Sequence, residues 1–210
     1  MKLQLLCIFV LFSLVTGVPG IVYAQDDSSS GFTFVIKGGF DLMGEGDLDI
    51  DEYDYSESGD VDSNISLGAE AYFNFDPVLF GVGAAYLLPR KLEDSDGKIS
   101  LFPIYGAINY PFTPGGFTPY ITGQIGYNFF FIDSKLENEL DALIGDECDY
   151  TTEGGLYWAL GGGIILENNI QFELLYSNSS AGLDIENSTG ESVTMDLTYT
   201  KFTVSIGYRF

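Results

Sequence analysis

Histidine is absent from the 210 residues. That removes the imidazole as general base, proton shuttle or metal ligand. Basic side chains are scarce: 8 Lys and Arg stand against 31 Asp and Glu, a formal charge of -23. Such a balance repels nucleic acid and offers no patch to neutralise phosphates. Cysteine occurs at Cys7 and Cys148 alone, too few for a zinc site or a disulfide scaffold. Past residue 24, no apolar run reaches the roughly 20 residues of a spanning helix. No cofactor is expected. What remains is rich in glycine (26), phenylalanine (17) and tyrosine (14), with 46% hydrophobic and only 19% charged residues. A disordered acidic tail would be far less apolar. Glycine with aromatics points instead to many strands and turns.

The first 24 residues read as an address. Met1-Lys2 is a minimal positive start, Leu3 to Val18 is almost wholly apolar, and Pro19-Gly20 breaks the run. Val22 and Ala24 then stand at the -3 and -1 positions of a cleavage site. The expectation is a secretory signal peptide over 1–24, a short tail over 25–31 and one domain over 32–210. Cys7 leaves with the signal, and Cys148 remains as the mature chain's one thiol.

Within the domain, apolar residues alternate with a period of two, the mark of strands. Eight segments are expected, at about 32–43, 64–75, 79–89, 99–110, 118–131, 155–166, 169–178 and 196–210. Each covers the roughly 9–11 residues a tilted strand needs to cross a bilayer. One parity of each segment carries no charge. Phe34, Ile36, Phe40, Leu67, Phe73, Phe80, Val82, Ile121, Ile125, Leu156, Leu160, Phe172 and Leu174 belong to it. The fourth segment is apolar on both parities; Phe102, Ile104, Ile108 and Tyr110 are assigned outward.

The other parity carries Lys37, Asp41, Glu70, Gln124, Glu173, Lys201 and Arg209, with Asn74, Asn128, Gln171 and many glycines. A soluble barrel would present a densely charged polar face to water. Here the polar face is small, and its three acids match three bases. A narrow lumen demands that composition, because an unpaired buried charge is costly. The polar face is therefore assigned inside, as a hydrogen-bonded network, with Tyr72, Tyr105, Tyr120, Tyr157 and Tyr199. The apolar face then meets lipid. Connections alternate in length: 76–78, 111–117 and 167–168 are short, whereas 44–63, 133–154 and 179–195 are long. The expected fold is all-β: an eight-stranded antiparallel up-and-down transmembrane β-barrel with short periplasmic turns and long acidic extracellular loops.

Three stretches resemble the small eight-stranded outer-membrane β-barrel proteins of Gram-negative bacteria, the OmpA/OmpX-like or porin-family group. The C-terminal run Phe202-Thr-Val-Ser-Ile-Gly-Tyr-Arg-Phe210 has hydrophobic residues at every second position and a terminal Phe. Pro119-Tyr120-Ile-Thr-Gly-Gln-Ile-Gly-Tyr127 is similar to the family's Pro-Tyr strand, with Gln124 where a glycine is more usual. Gly161-Gly162-Gly163 leads over a tight turn to Leu174-Leu175-Tyr176. The resemblance covers about residues 32–210. It implies a bacterial outer-membrane location and insertion by the barrel-assembly machinery. Phe202, Val204, Ile206, Tyr208 and Phe210 stand as the assembly signal. Outer-membrane lipid and lipopolysaccharide are the implied surroundings, for a monomer.

The long connections hold the acid. Residues 44–63 carry nine acids and no base, 133–154 carry eight acids and Lys135, and 178–196 carry four acids and no base. Solvation of the rim is the plainer reading. The sharper one is weak divalent-cation binding, with Asp47, Asp49 and Asp51 as candidates. Glu52 occupies the position where a calcium loop turns on glycine, and Ser58 the position of the bidentate acid, so no EF-hand is formed. Ser134-Lys-Leu-Glu137 has the pattern of a capping box. With Leu136, Leu140, Leu143 and Ile144 on one face, it predicts a short amphipathic helix at about 135–144 over the outer mouth.

Two functions are carried forward. One is a barrel with a largely plugged lumen, structural or acting through its acidic outer loops in surface interactions. The alternative is a channel for small apolar molecules, as in OmpW-like barrels. Enzymes on this scaffold typically pair Ser or Asp with His, and without His no enzymatic activity is expected.

Overall fold

The computed structural model describes residues 31–50, 55–91, 97–112, 117–144, 149–186 and 192–210. The expected signal peptide, Asp51 and Cys148 lie outside them. In order, the elements are β1 (Phe32–Ile50), β2 (Tyr55–Val61), β3 (Ile65–Phe75), β4 (Val78–Lys91), β5 (Lys98–Pro111) and β6 (Phe117–Ile132). A helix, α1 (Ser134–Ile144), precedes β7 (Asp149–Leu166), β8 (Ile170–Glu186) and β9 (Ser192–Arg209).

All neighbouring pairs are antiparallel, and β1 also pairs with β9, which closes the sheet into a ring. The expected eight staves become nine strands because one stave is split. β3 pairs with β1 over Phe32–Phe40, and β2 pairs with the same edge of β1 over Gly44–Ile50. The break is bridged by the Asp41 N–H, which donates to the Asn64 carbonyl at 2.8 Å. The ring therefore keeps eight staves.

Two connections expected to be loops are largely strand, and a third ends in strand. β1 and β2 occupy most of 44–63, β7 starts at Asp149, and β8 and β9 consume most of 179–195. The reason is physical. Apolar alternation ends where the wall leaves lipid, but the backbone ladder needs no apolar side chain to continue into water. The segments 51–54, 92–96, 113–116, 145–148 and 187–191 lie outside the described residues.

Side-chain parity follows the ladder. Ile65, Leu67, Phe73, Val82, Ile108, Ile121, Ile125, Leu160, Leu174 and Ile206 are all exposed on the outer wall. Edge-to-face rings gather near the short turns: Phe32 with Phe73, Phe75 with Phe80, Tyr110 with Phe112, and Tyr208 with Phe210. Aromatic girdles of this kind flank the apolar band of a membrane barrel. Phe102, assigned outward, is buried. Its cover comes from outward neighbours, since it clusters with Ala84, Tyr86, Leu88 and Phe131 and leans on Phe129.

Ile125 is 65% exposed in the middle of β6. Ile125→Arg puts a charge into hydrocarbon, and the expected loss is about 2–4 kcal/mol. Denaturant titration in lipid vesicles, followed by Trp158 fluorescence, reads it. An unchanged midpoint would contradict the outward assignment.

Candidate functional site

Among the described residues, the lumen is where the fold concentrates buried ionisable groups. Lys37, Asp41, Glu70, Gln124, Glu173 and Lys201 all point into it, each 6% exposed or less. They sort into two groups along the axis.

Nearer the short turns, one cation sits between two anions. Lys37 Nζ lies 2.6 Å from Glu70 Oε1 and 2.7 Å from Glu173 Oε1. Glu70 also accepts from the hydroxyls of Tyr72 (2.8 Å) and Tyr105 (2.9 Å) and from Gln124 Nε2 (3.2 Å). Tyr157 donates to Gln124 Oε1 at 2.9 Å, and Tyr120 to Glu173 Oε2 at 2.8 Å. Gln124, the departure from the family's glycine, thus relays between a tyrosine and a carboxylate. Such multiplicity gives each buried carboxylate donors in place of water.

Towards the long-loop end the pattern inverts, with one anion between two cations. Asp41 receives Lys201 Nζ on both oxygens at 2.9 Å and the Thr203 hydroxyl at 2.6 Å. Its second cation is Arg90, paired through Nη2 and itself bonded to the Tyr199 hydroxyl, over whose ring it lies. The expected third segment, 79–89, stops one residue short of Arg90. The register of β4 against β5 shifts between Leu87 and Arg90, so the inward parity moves by one residue past Pro89. No periodicity signals that slip in advance.

Arg209, expected in the network, stands apart from these ion pairs. It is half-buried at the short-turn end, where its backbone N–H donates to the Asn169 carbonyl at 2.9 Å. Asn169 is the turn residue with positive φ, 64°.

Beyond the second charge group the lumen turns apolar. Val61, Leu87, Ile99, Leu101, Phe130, Ala181 and Tyr199 pack together, and Leu136 of α1 joins them. The helix spans Ser134–Ile144, as the sequence pattern predicts, but its cap is one residue earlier. Asp133 Oδ1 accepts the Leu136 N–H and the Lys98 N–H, each at 3.0 Å. Desolvation by itself would raise the Asp133 pKa. The backbone N–H groups of Lys98, Leu136 and Lys135 outweigh it and hold the carboxyl below its ordinary value. Gly97 lets the helix approach, since a Cβ there would fall 2.6 Å from Leu136 Cβ. The side chains of Leu140, Leu143 and Ile144 lie outside the described residues.

Asp47 and Asp49 fall on a strand, not in a loop. They oppose Ser58 and Ser56 on one side and Thr198 and Asp196 on the other. An extended backbone separates alternate side chains by about 7 Å, too far to wrap one ion. Among the described residues, no group of three or more acids is placed to hold a metal.

A closed ring, an apolar outer wall and a paired ionic interior describe a protein that lives in a bilayer. The family of the Outer membrane protein beta-barrel domain matches residues 14–210. The chain belongs to that family. Its place is the bacterial outer membrane. Among solved structures it is similar to outer membrane protein AlkL in lipid bilayers, with TM-score 0.54 and 14% identity, covering 89% of this chain and 94% of that one. It is also similar to Neisserial surface protein A (0.49, 14%, 86% and 99%). A third is Ail, the attachment invasion locus protein of Yersinia pestis (0.49, 15%, 85% and 98%). No curated protein matches it.

Two predictions follow from this geometry. Lys37→Met leaves Glu70 and Glu173 buried without their cation, so folding in vesicles should lose about 3–5 kcal/mol. Adding Glu70→Gln and Glu173→Gln should recover much of that loss; a single variant folding as well as the parent would refute the network. For the cap, a pKa lowered by folding means stability present above the usual Asp value of 3.8 and lost as pH falls through the folded value. Amide protection across 134–144 should therefore fall on acidification below about pH 4. Asp133→Ala should remove the protection at neutral pH, at a cost of about 1 kcal/mol. Protection unchanged in the variant would assign the cap elsewhere.

Proposed function

We propose that the protein is a closed outer-membrane barrel that works through its outer rim and not through its lumen. The observation that supports this is the filling of the lumen. Two groups of paired ions, four tyrosines, and an apolar cluster topped by Leu136 occupy it from the short-turn end to the helix. Eight strands enclose an interior just wide enough for side chains. Work is then left to the rim. The stretches 44–63, 133–154 and 178–196 carry twenty net negative charges, and the described strands β1, β2, β7, β8 and β9 run into these stretches past the apolar band. The short turns face the periplasm and the acidic rim faces outside. A rim of this charge favours cationic partners and repels anionic surfaces; divalent cations at lipopolysaccharide phosphates fit the same chemistry. The reading is non-catalytic, because the buried carboxylates are committed to cations and hydroxyl donors.

A second reading draws on the apolar outer half of the lumen. Leu87, Ile99, Leu101 and Phe130 line a passage in which α1 acts as a gate, and small apolar molecules are the cargo. Recording in planar bilayers separates the two. The closed barrel should show no steady conductance at low voltage, and Leu136→Asp should not create one, because the charge groups lie below the helix. A defined open level in the parent protein would overturn the closed reading and favour the conduit.

A further inference from the structure

A cavity of about 50 Å³ lies between the two charge groups. Lys37, Lys201, Glu173, Ser177, Ser205 and Gly68 are among the residues that line it. Its hydrogen-bonding capacity is one-sided. Each lysine ammonium has three N–H groups, and the carboxylates engage two of them on Lys37 and two on Lys201. Each therefore keeps a third donor. Ser177 and Ser205 are 2% and 6% exposed, and their hydroxyls find no partner among the described residues. The carboxylate and amide acceptors in the lining already carry donors. Glu173 receives Lys37 on one oxygen and Tyr120 on the other, and Gln124 Oε1 receives Tyr157. The lining brings two ammonium groups to one space, each already held on one side by carboxylates.

We propose that this cavity is a binding site for one small monovalent anion of the halide class, held by Lys37, Lys201, Ser177 and Ser205. Two spare ammonium donors and two buried hydroxyls with no partner call for an acceptor between them. The volume admits a monatomic ion. The ion sits between the cation of one group and a cation of the other, where it relieves their mutual repulsion. The site rests on the closed-lumen reading, and bilayer recording tests that reading separately.

Bromide is the probe. Crystals of the detergent-solubilised barrel soaked in bromide should show one anomalous peak in the cavity, within hydrogen-bond distance of Ser177 Oγ and Ser205 Oγ. In solution, chloride should raise Tm above that in sulfate at equal ionic strength, and the rise should follow a one-site isotherm. Gly68→Val fills the space, since a Cβ at Gly68 meets nothing nearer than 3.5 Å, and should abolish the chloride-dependent part. Ser177→Ala with Ser205→Ala keeps the backbone and should weaken it at least tenfold, which keeps the test open if the valine fails to fold. Water alone in the cavity, bromide at the protein surface alone, or a Tm indifferent to chloride would each overturn the proposal.

Discussion

Hydrocarbon offers no hydrogen bonds to a backbone, and this one constraint shapes everything else in the molecule. A sheet in lipid must close, so β1 returns to β9. Closure with eight staves fixes a narrow bore. The bore dictates which side chains face inward, and it explains a composition rich in both glycine and tyrosine. A large inward ring needs a neighbour that yields space. At Gly83 a Cβ would lie 2.6 Å from the Tyr105 ring, and at Gly81 it would lie 2.5 Å from that of Tyr72. Tyrosine fills the bore while its hydroxyl reaches a carboxylate, so one residue type does the work of packing and of hydrogen bonding.

Much of this was legible because membrane barrels write their two faces in alternate letters. The outward assignment of Ile65, Val82, Ile125 and Leu160 needs only parity, and so does the inward one of Lys37, Glu70 and Glu173. Parity fails where register slips. The irregularities at Asp41/Met43 and at Leu87/Arg90 each cost one residue of phase. The second hid Arg90, the cation that completes the outer charge group. Strand length was also underestimated, for a different reason. The hydrophobic signal reports the height of the lipid, whereas the ladder reports the height of the barrel, and β7, β8 and β9 run to 17 or 18 residues. The helix was legible from its apolar spacing. Its true cap was not, because Asp133 also anchors the Lys98 backbone, a partner 35 residues away.

The lumen is layered by chemistry. Cation between anions, then anion between cations, then hydrocarbon: each layer satisfies itself, and the two ionic layers have opposite excess charge. That arrangement is more economical than two neutral pairs. A triad's odd charge is balanced by the next layer along the axis, so the layers hold one another at a fixed separation with a polar gap between them. The apolar layer beyond needs no partner except a cover, which Leu136 supplies from α1. Rigid interior and acidic exterior are thereby decoupled, and sequence can change on the rim without disturbing what fills the bore.

The ion pairs also bear on how the ring selects closure over an open sheet. Lys37 meets Glu173 across 136 residues, and Asp41 meets Lys201 across 160. Both contacts require β1 to lie beside β9. In an open sheet, Lys37 would keep Glu70 and Asp41 would keep Arg90, but Glu173 and Lys201, on or near the other edge, would lose their counter-charges and face hydrocarbon. Buried charge without a partner is among the costliest states a protein can adopt. The inward charges therefore penalise every unclosed arrangement in lipid more than they stabilise the closed one. Their role in this wall is selection of a single topology, and β1, which carries a member of each group, is the strand on which that selection turns.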